Sequence, residues 1–155
     1  EIRRHACVAV DCEGGNLSRH GRLTLMQLAV PGKAFLVDVL VLSAAAFSKG
    51  MRALLEDPDF PKILFDCRQD SDALWHQFQV RLKGVRDLQA MELFLRRQGA
   101  LTSEGVATAY FQQHVDRVRG LEDCMQRYGR HGALAQLKRS KHHEMGRGPS
   151  VMWEQ

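Results

Sequence analysis

A short apolar run that ends in two acidic residues narrows the possible folds of this chain more than any other feature. The run begins at Ala6, and Asp11-Cys12-Glu13 closes it. Side chains two apart in a β-strand lie on the same face, so Asp11 and Glu13 are expected together at the carboxyl end of a buried strand. Cys12 then faces the core as a small apolar side chain. Two neighbouring carboxylates repel each other unless a cation lies between them, and hard divalent ions prefer such oxygen ligands.

A second acidic segment follows another short apolar run. Residues 62–66 are predicted as a strand, which leads through an acidic turn into a helix with apolar residues at fourfold spacing. Asp70 is the candidate site residue of this segment, and Asp66 and Asp72 compete with it. Taken alone, Asp70 is also explained as a charge favoured by the helix dipole. The helix residues Leu74, Trp75 and Phe78 are interpreted as core rather than as base-stacking side chains.

The order of these elements resembles the DEDD superfamily of 3′–5′ exonucleases, in particular its ribonuclease D-like, Egalitarian-like branch. In that family an Asp-x-Glu on the first strand forms the first motif, and an Asp at the start of the helix after the fourth strand forms the second. The matching residues here are Asp11, Glu13 and Asp70. The stretches 85–90 and 120–129 also resemble the family, whereas nothing in residues 99–119 does.

The resemblance implies an α/β ribonuclease H-like fold, a mixed five-stranded sheet with flanking helices, and a single exonuclease-like domain over residues 1–155. It also implies hydrolysis with two Mg²⁺ or Mn²⁺ ions. Asp11 would bridge both ions, Glu13 would bind the ion on the nucleophile side, and Asp70 would hold the other through water. These three are the expected catalytic and metal-binding residues.

The family's third motif, which carries the fourth carboxylate, has no match in the chain. After Asp123 the sequence contains no Asp, and Glu144 and Glu154 are its only acids. The motif is expected beyond Gln155, so the chain is interpreted as a truncated domain of a longer protein. Activity is expected of that parent protein and is left open for the 155 residues alone.

Positive charge is concentrated near the carboxyl end. Residues 1–116 carry equal numbers of basic and acidic side chains, whereas residues 117–155 carry eight Lys and Arg against four Asp and Glu. Lys138, Arg139 and Lys141 are predicted to bind the phosphates of single-stranded nucleic acid, with RNA favoured over DNA. The alternative is an ordinary solvated basic surface.

The function predicted from the sequence is therefore a 3′–5′ exonuclease acting on single-stranded nucleic acid. The alternative is an inactive nuclease-like module that binds RNA or protein partners. The stretch 34–47 is too short to cross a membrane, and the four cysteines lack zinc or disulfide spacing, which favours an intracellular location in cytoplasm or nucleus. His142-His143-Glu144 is interpreted as part of a mobile loop rather than as a metal site.

The secondary structure follows from the same patterns. Strands are predicted over residues 6–12, 23–30, 34–39, 62–66 and 84–88. Helices are predicted near 45–56 and 70–83 and over most of 89–139.

Overall fold

The computed structural model of the chain describes residues 1–97 and 117–129. These residues divide into two compact units, one that ends at Asp87 and one that starts at Leu88. The single domain over residues 1–155 stays a prediction.

The first unit contains a five-stranded mixed sheet in the order β3-β2-β1-β4-β5. Strand β2 pairs antiparallel with both β1 and β3. On the other side of β1, β4 pairs parallel with β1, and β5 pairs parallel with β4. The mixed five-stranded sheet is the one predicted from the sequence. Its strands are β1 (Val8–Glu13), β2 (Leu25–Val30), β3 (Lys33–Asp38), β4 (Lys62–Leu64) and β5 (Val85–Asp87).

Helices follow the strands. Short 3₁₀ helices occupy Ile2–Arg4 and Ser43–Phe47 of the first unit. Its α-helices are α1 (Val39–Leu42), α2 (Met51–Leu55) and α3 (Arg68–Phe78). The described part of the second unit contains α4 (Leu88–Arg97) and α5 (Leu121–Tyr128), and residues 117–120 between them are not helical.

Two predicted helices are shorter than expected because the backbone turns left-handed within them. Near residues 45–56, Lys49 and Gly50 have φ values of +50° and +93°, which separate the 3₁₀ helix from α2. The helix expected over 70–83 ends at Phe78 because Gln79 takes a φ of +56°. Apolar spacing continues through both breaks, so the pattern alone did not mark them.

The core lies on one face of β1 and β2. Val8, Val10 and Cys12 alternate with outward residues along β1 and are almost fully buried, as are Met26 and Leu28 on β2. Helix α3 closes this core with apolar side chains from its inner face. Those side chains are Ala73 and Leu74, both 0% exposed, and Phe78, which stacks against Phe47 with ring centroids 4.6 Å apart.

One cation lies in this core. Lys62 of β4 is 0% exposed, and its Nζ donates to the backbone carbonyls of Leu54 and Asp57. Burial lowers the pKa of Lys62. The ammonium therefore ties the end of α2 and the following turn to β4.

Within the described ranges, none of the helices combines the length and the apolar character that a membrane span requires.

Candidate active site at the end of β1

The acidic pair lies on the outward face of β1, as its alternation predicted. Asp11 is exposed and Glu13 half-buried, while Cys12 between them points into the core. Gln27 of β2 is the cross-strand partner of Asp11. Its Nε2 donates to Asp11 Oδ2 at 3.4 Å and to Glu13 Oε1 at 3.3 Å. One amide therefore joins both carboxylates.

Asp70 reaches this pair from the first turn of α3. The residue is 7% exposed, and its Oδ1 accepts a hydrogen bond of 2.8 Å from the backbone N–H of Cys12. Since Cys12 separates Asp11 from Glu13, the fold brings all three predicted acids to the same end of β1.

Burial raises the pKa of Asp70 to about 6. The hydrogen bond from Cys12 acts in the opposite direction, and the negative charge of Asp11 raises the pKa further. Asp70 is thus a buried acid whose charge is poorly compensated, which is the electrostatic condition that a bound cation would relieve.

The two acids that compete with Asp70 serve other contacts. Asp66 forms an ion pair with Arg68, with 2.5 Å between Oδ1 and Nε. Asp72 accepts bonds from the backbone and guanidinium of Arg19, both at 2.6 Å. Each therefore holds a local turn or loop instead of approaching β1.

The loop after Glu13 is fastened to α3 by an amide as well as by Asp72. Gln77 donates through Nε2 to the carbonyls of Ser18 and Gly21, and its Oε1 accepts from the N–H of Leu23 at 3.0 Å. Three backbone groups of one loop are satisfied by one side chain. The polar loop that follows the acidic pair is consequently held close to the helix that carries Asp70.

Asp87 at the end of β5 holds the turn before α3. Its carboxylate accepts from the backbone N–H groups of Asp66 at 3.1 Å and Cys67 at 2.9 Å. Asp66 has a φ of +59° in this turn. The carboxylate therefore fixes an unusual backbone conformation just before the helix that positions Asp70.

Replacing Asp87 by Ala should lower the free energy of unfolding by about 2 kcal/mol or more, because two partly buried N–H groups lose their acceptor. Asp87→Asn, which keeps one acceptor oxygen, should lose less. Asp59→Ala on an exposed turn serves as the control and should change little. Urea unfolding of the three variants measures the order, and an Asp87→Ala variant as stable as the control would contradict the assignment.

The side chains of this site suit a hard divalent cation by their chemistry, since all three donors are carboxylates. In the residues that the structure describes, however, no three His, Cys, Asp or Glu side chains converge closely enough to hold a metal ion. Asp11, Glu13 and Asp70 thus form a partial ligand set with suitable donors.

The predicted nucleic-acid contacts Lys138, Arg139 and Lys141 lie outside the described residues, as do His142-His143-Glu144. Two other members of the basic segment are engaged in ion pairs. Arg119 bonds to Glu92 at 2.6 Å, and Arg127 bonds to Asp123 at 3.0 Å. These two arginines are therefore engaged with acids of the second unit.

The prediction that Trp75 of α3 is a core residue is wrong. Leu74 belongs to the core and Phe78 packs against it, as predicted. Trp75 instead lines an open cleft of about 650 Å³ on the outer side of α3, and the Arg81 guanidinium lies 4.6 Å from its ring centroid. Trp75 lies outside the fourfold row of Leu74 and Phe78, which was the available signal that it faces away from the core.

A buried ionic cluster in the second unit was not predicted from the sequence. Glu92 is 6% exposed and Arg96 is 4% exposed, and their side chains bond at 3.0 Å. The same carboxylate accepts from Arg119 and from the hydroxyl of Tyr128. The four-residue spacing of Glu92 and Arg96 on a helix was the signal available for the first pair.

The chain matches a sequence model of the 3′–5′ exonuclease family over residues 1–130. Among curated relatives, the piRNA biogenesis protein EXD1 of Xenopus laevis is 32% identical over 124 residues, which are 80% of this chain and 26% of that protein. The chain therefore spans about a quarter of the length of this relative.

Solved structures show the same fold. Trypanosoma brucei RNase D in complex with RNA U12 superimposes with a TM-score of 0.55 at 35% identity, over 61% of this chain and 34% of that chain. The EXD2 exonuclease domain soaked in Mn and GMP gives a TM-score of 0.52 at 23% identity, over 68% of this chain and 54% of that one. The five-stranded sheet is thus the ribonuclease H-like fold that the sequence predicted. The chain belongs to the 3′–5′ exonuclease family, as a ribonuclease D-like domain of the DEDD superfamily.

Proposed function

We propose that this chain is the nuclease domain of a metal-dependent 3′–5′ exonuclease that hydrolyses phosphodiester bonds in single-stranded RNA. The proposal depends on one observation: Asp11, Glu13 and Asp70 lie at the same end of β1. Two of them share the amide of Gln27, and the third bonds to the backbone between them. Three acids gathered at one strand end have little structural use, because their charges repel.

Asp11, Glu13 and Asp70 would hold Mg²⁺ or Mn²⁺, and ions bound there would supply Lewis acidity and an activated water. The chain itself supplies placement. The pleat of β1 puts Asp11 and Glu13 on one face, and the N–H of Cys12 fixes one oxygen of Asp70. The fourth carboxylate of the family pattern is not assigned to any residue here.

RNA as the substrate is supported by the relatives and not by a contact in this chain. The Trypanosoma brucei RNase D to which the chain is 35% identical was solved with RNA, and the Xenopus laevis relative is a piRNA biogenesis protein. Lys138, Arg139 and Lys141 remain the proposed phosphate contacts, because positive charge is in excess near them.

An intracellular location, in cytoplasm or nucleus, is part of the proposal and is supported by four cysteines that are all free thiols.

The second candidate is a nuclease-like module that binds RNA or a protein partner without turnover. The specific observation in its favour is that the described carboxylates do not converge into a closed metal cluster. Retention of all three acids favours the enzyme.

The test is trimming of a 5′-labelled single-stranded RNA by the full-length protein in Mn²⁺. The wild type should shorten the RNA from its 3′ end, and an Asp11→Ala, Glu13→Ala double variant should lose at least about 100-fold of this rate because its cation ligands are gone. Calorimetric titration with Mn²⁺ should show binding to the wild type and none to the double variant.

Asp72→Asn is the matched control, since Asp72 lies on the same helix as Asp70 but bonds to Arg19. It should trim RNA at the wild-type rate. A folded full-length protein that binds Mn²⁺ and RNA yet leaves every 3′ end intact would replace this proposal with the binding module.

A further inference from the structure

Gln27 is the polar side chain at the acidic pair to which neither the family motifs nor the sequence pattern assigned a role. It lies on β2 directly opposite Asp11 in the antiparallel ladder. Its Nε2 donates to one oxygen of Asp11 and one oxygen of Glu13, at 3.4 Å and 3.3 Å. An amide nitrogen carries two hydrogens, so a single group satisfies both acceptors.

Gln27 lies on the face of β2 opposite the core, so its hydrogen bonds to the two acids are distinct from core packing. Its strand neighbours Met26 and Leu28 are both 0% exposed and form the core, while Gln27 is half-buried on the opposite face. Removing the amide therefore leaves the core unchanged. What it removes is a hydrogen-bonded link between the two carboxylates.

The chemistry of an amide suits this place. Two carboxylates held on one strand face repel each other and would rotate apart. A lysine between them would cancel their charge and compete with a cation, and a glutamate would add to the repulsion. The neutral glutamine donates to both acids while preserving their full negative charge.

We propose that Gln27 is a positioning residue that holds the Asp11 and Glu13 carboxylates together for a divalent cation. The inference rests on the proposed function, because it assumes that these acids bind Mg²⁺ or Mn²⁺. Gln27 would act through the two acids to which it is hydrogen-bonded. Side chains that hydrogen-bond to metal ligands commonly account for about 10–100-fold in metal affinity.

The experiment titrates the metal-free 155-residue chain with Mn²⁺ by calorimetry and compares two substitutions of Gln27. Gln27→Met keeps the length of the side chain and removes both donors, so Mn²⁺ should bind about tenfold more weakly. Gln27→Lys places an ammonium beside the acids, so Mn²⁺ should bind more weakly still. Urea unfolding without metal should give the same midpoint for Gln27→Met and the wild type, which a packing role would not allow.

Ala29→Met is the matched control, because Ala29 is an exposed residue on the same face of β2, two positions along. It should bind Mn²⁺ as the wild type does. Asp11→Ala provides the second reference and should abolish binding.

The outcomes separate this inference from the proposed function. Gln27→Met with wild-type Mn²⁺ affinity, when Asp11→Ala binds none, overturns the role of Gln27 and leaves the metal site intact. A Gln27→Met variant whose weaker binding is matched by a lower unfolding midpoint also overturns it, in favour of a structural role. A wild-type chain that binds no Mn²⁺ at all overturns the metal site and this inference together.

Discussion

Replacing Asp70 by Asn is expected to stabilise the metal-free chain at pH 8 and to remove the Mn²⁺ binding that we propose for this site. The pKa of Asp70 is raised to about 6 by burial in the folded chain, against about 3.9 in an unfolded one. The unfavourable charge is absent below about pH 4, where both states are protonated, and it reaches its full size above about pH 6. A difference of about two pKa units corresponds to roughly 3 kcal/mol. Asn keeps an acceptor for the N–H of Cys12 but has no charge to desolvate.

Urea unfolding of the wild type and of Asp70→Asn at pH 4 and pH 8 measures this effect. The stability difference should be small at pH 4 and favour Asn at pH 8, and added Mn²⁺ should stabilise only the wild type. Asp72→Asn is the control two residues along the same helix, and there the ion pair with Arg19 lowers the pKa, so the variant should gain nothing at pH 8. Lower stability of Asp70→Asn at pH 8 would mean that the charge of Asp70 is compensated in the metal-free fold.

Replacing Glu92 by Ala should destabilise the second unit by about 3–5 kcal/mol, because it leaves the buried guanidinium of Arg96 without its acid. Arg119 and the hydroxyl of Tyr128 lose the same acceptor. Hydrogen exchange measures the result best, since the amides of α4 and α5 should lose protection. Asp123→Ala breaks the ion pairs of a half-exposed carboxylate with Arg127 and Arg119 but leaves the buried Glu92 in place, so it should cost only about 1 kcal/mol. Equal effects of the two substitutions would show that the Glu92 cluster contributes no more than a surface pair.

Lowering the pH should destabilise the second unit in the same way as the Glu92→Ala substitution, because it protonates the Glu92 carboxylate. Burial raises the pKa of this carboxyl, but the hydrogen bonds and charges of Arg96 and Arg119 outweigh burial and hold the pKa below its ordinary value. The folded state therefore binds the proton less readily than the unfolded state does. The resulting stabilisation is complete above the unfolded pKa of about 4.3 and is lost as the pH falls through the lower folded value. The protection of α4 and α5 should decline in that acidic range in the wild type, and the Glu92→Ala variant should lack this dependence.

The parts of the fold and the site that depend on local pattern were predictable from the sequence. Alternation along β1 predicted that Asp11 and Glu13 share a face and that Cys12 is buried. The position of Asp70 followed from resemblance, because spacing alone allowed Asp66 and Asp72 as well. The structure distinguishes the three acids by their partners: a backbone N–H of β1 for Asp70, and arginines for the other two.

Contacts between distant parts of the chain were not predictable in this way. Gln27 looked like an ordinary polar position in an alternating strand, and only the β1–β2 register places it opposite Asp11. From the sequence, Arg119 was assigned to a basic segment. Its ion pair with Glu92, a residue distant in sequence, is seen only in the structure. Breaks such as the one at Gln79 depend on a left-handed backbone that a non-glycine residue adopts only in its tertiary context.

The central position of β1 has a consequence for the order in which the chain acquires its structure. On one side β1 pairs with β2, which is close in sequence, and on the other with β4, whose Lys62 pairs with Val8 across more than fifty residues. Local pairings form readily, whereas a distant parallel pairing must first close a long loop. The three-stranded meander with its two acids and Gln27 is therefore expected early, during synthesis or refolding. Asp70 reaches this strand end only after β4 and α3 are in place, so the proposed metal site should be among the last parts of the molecule to form.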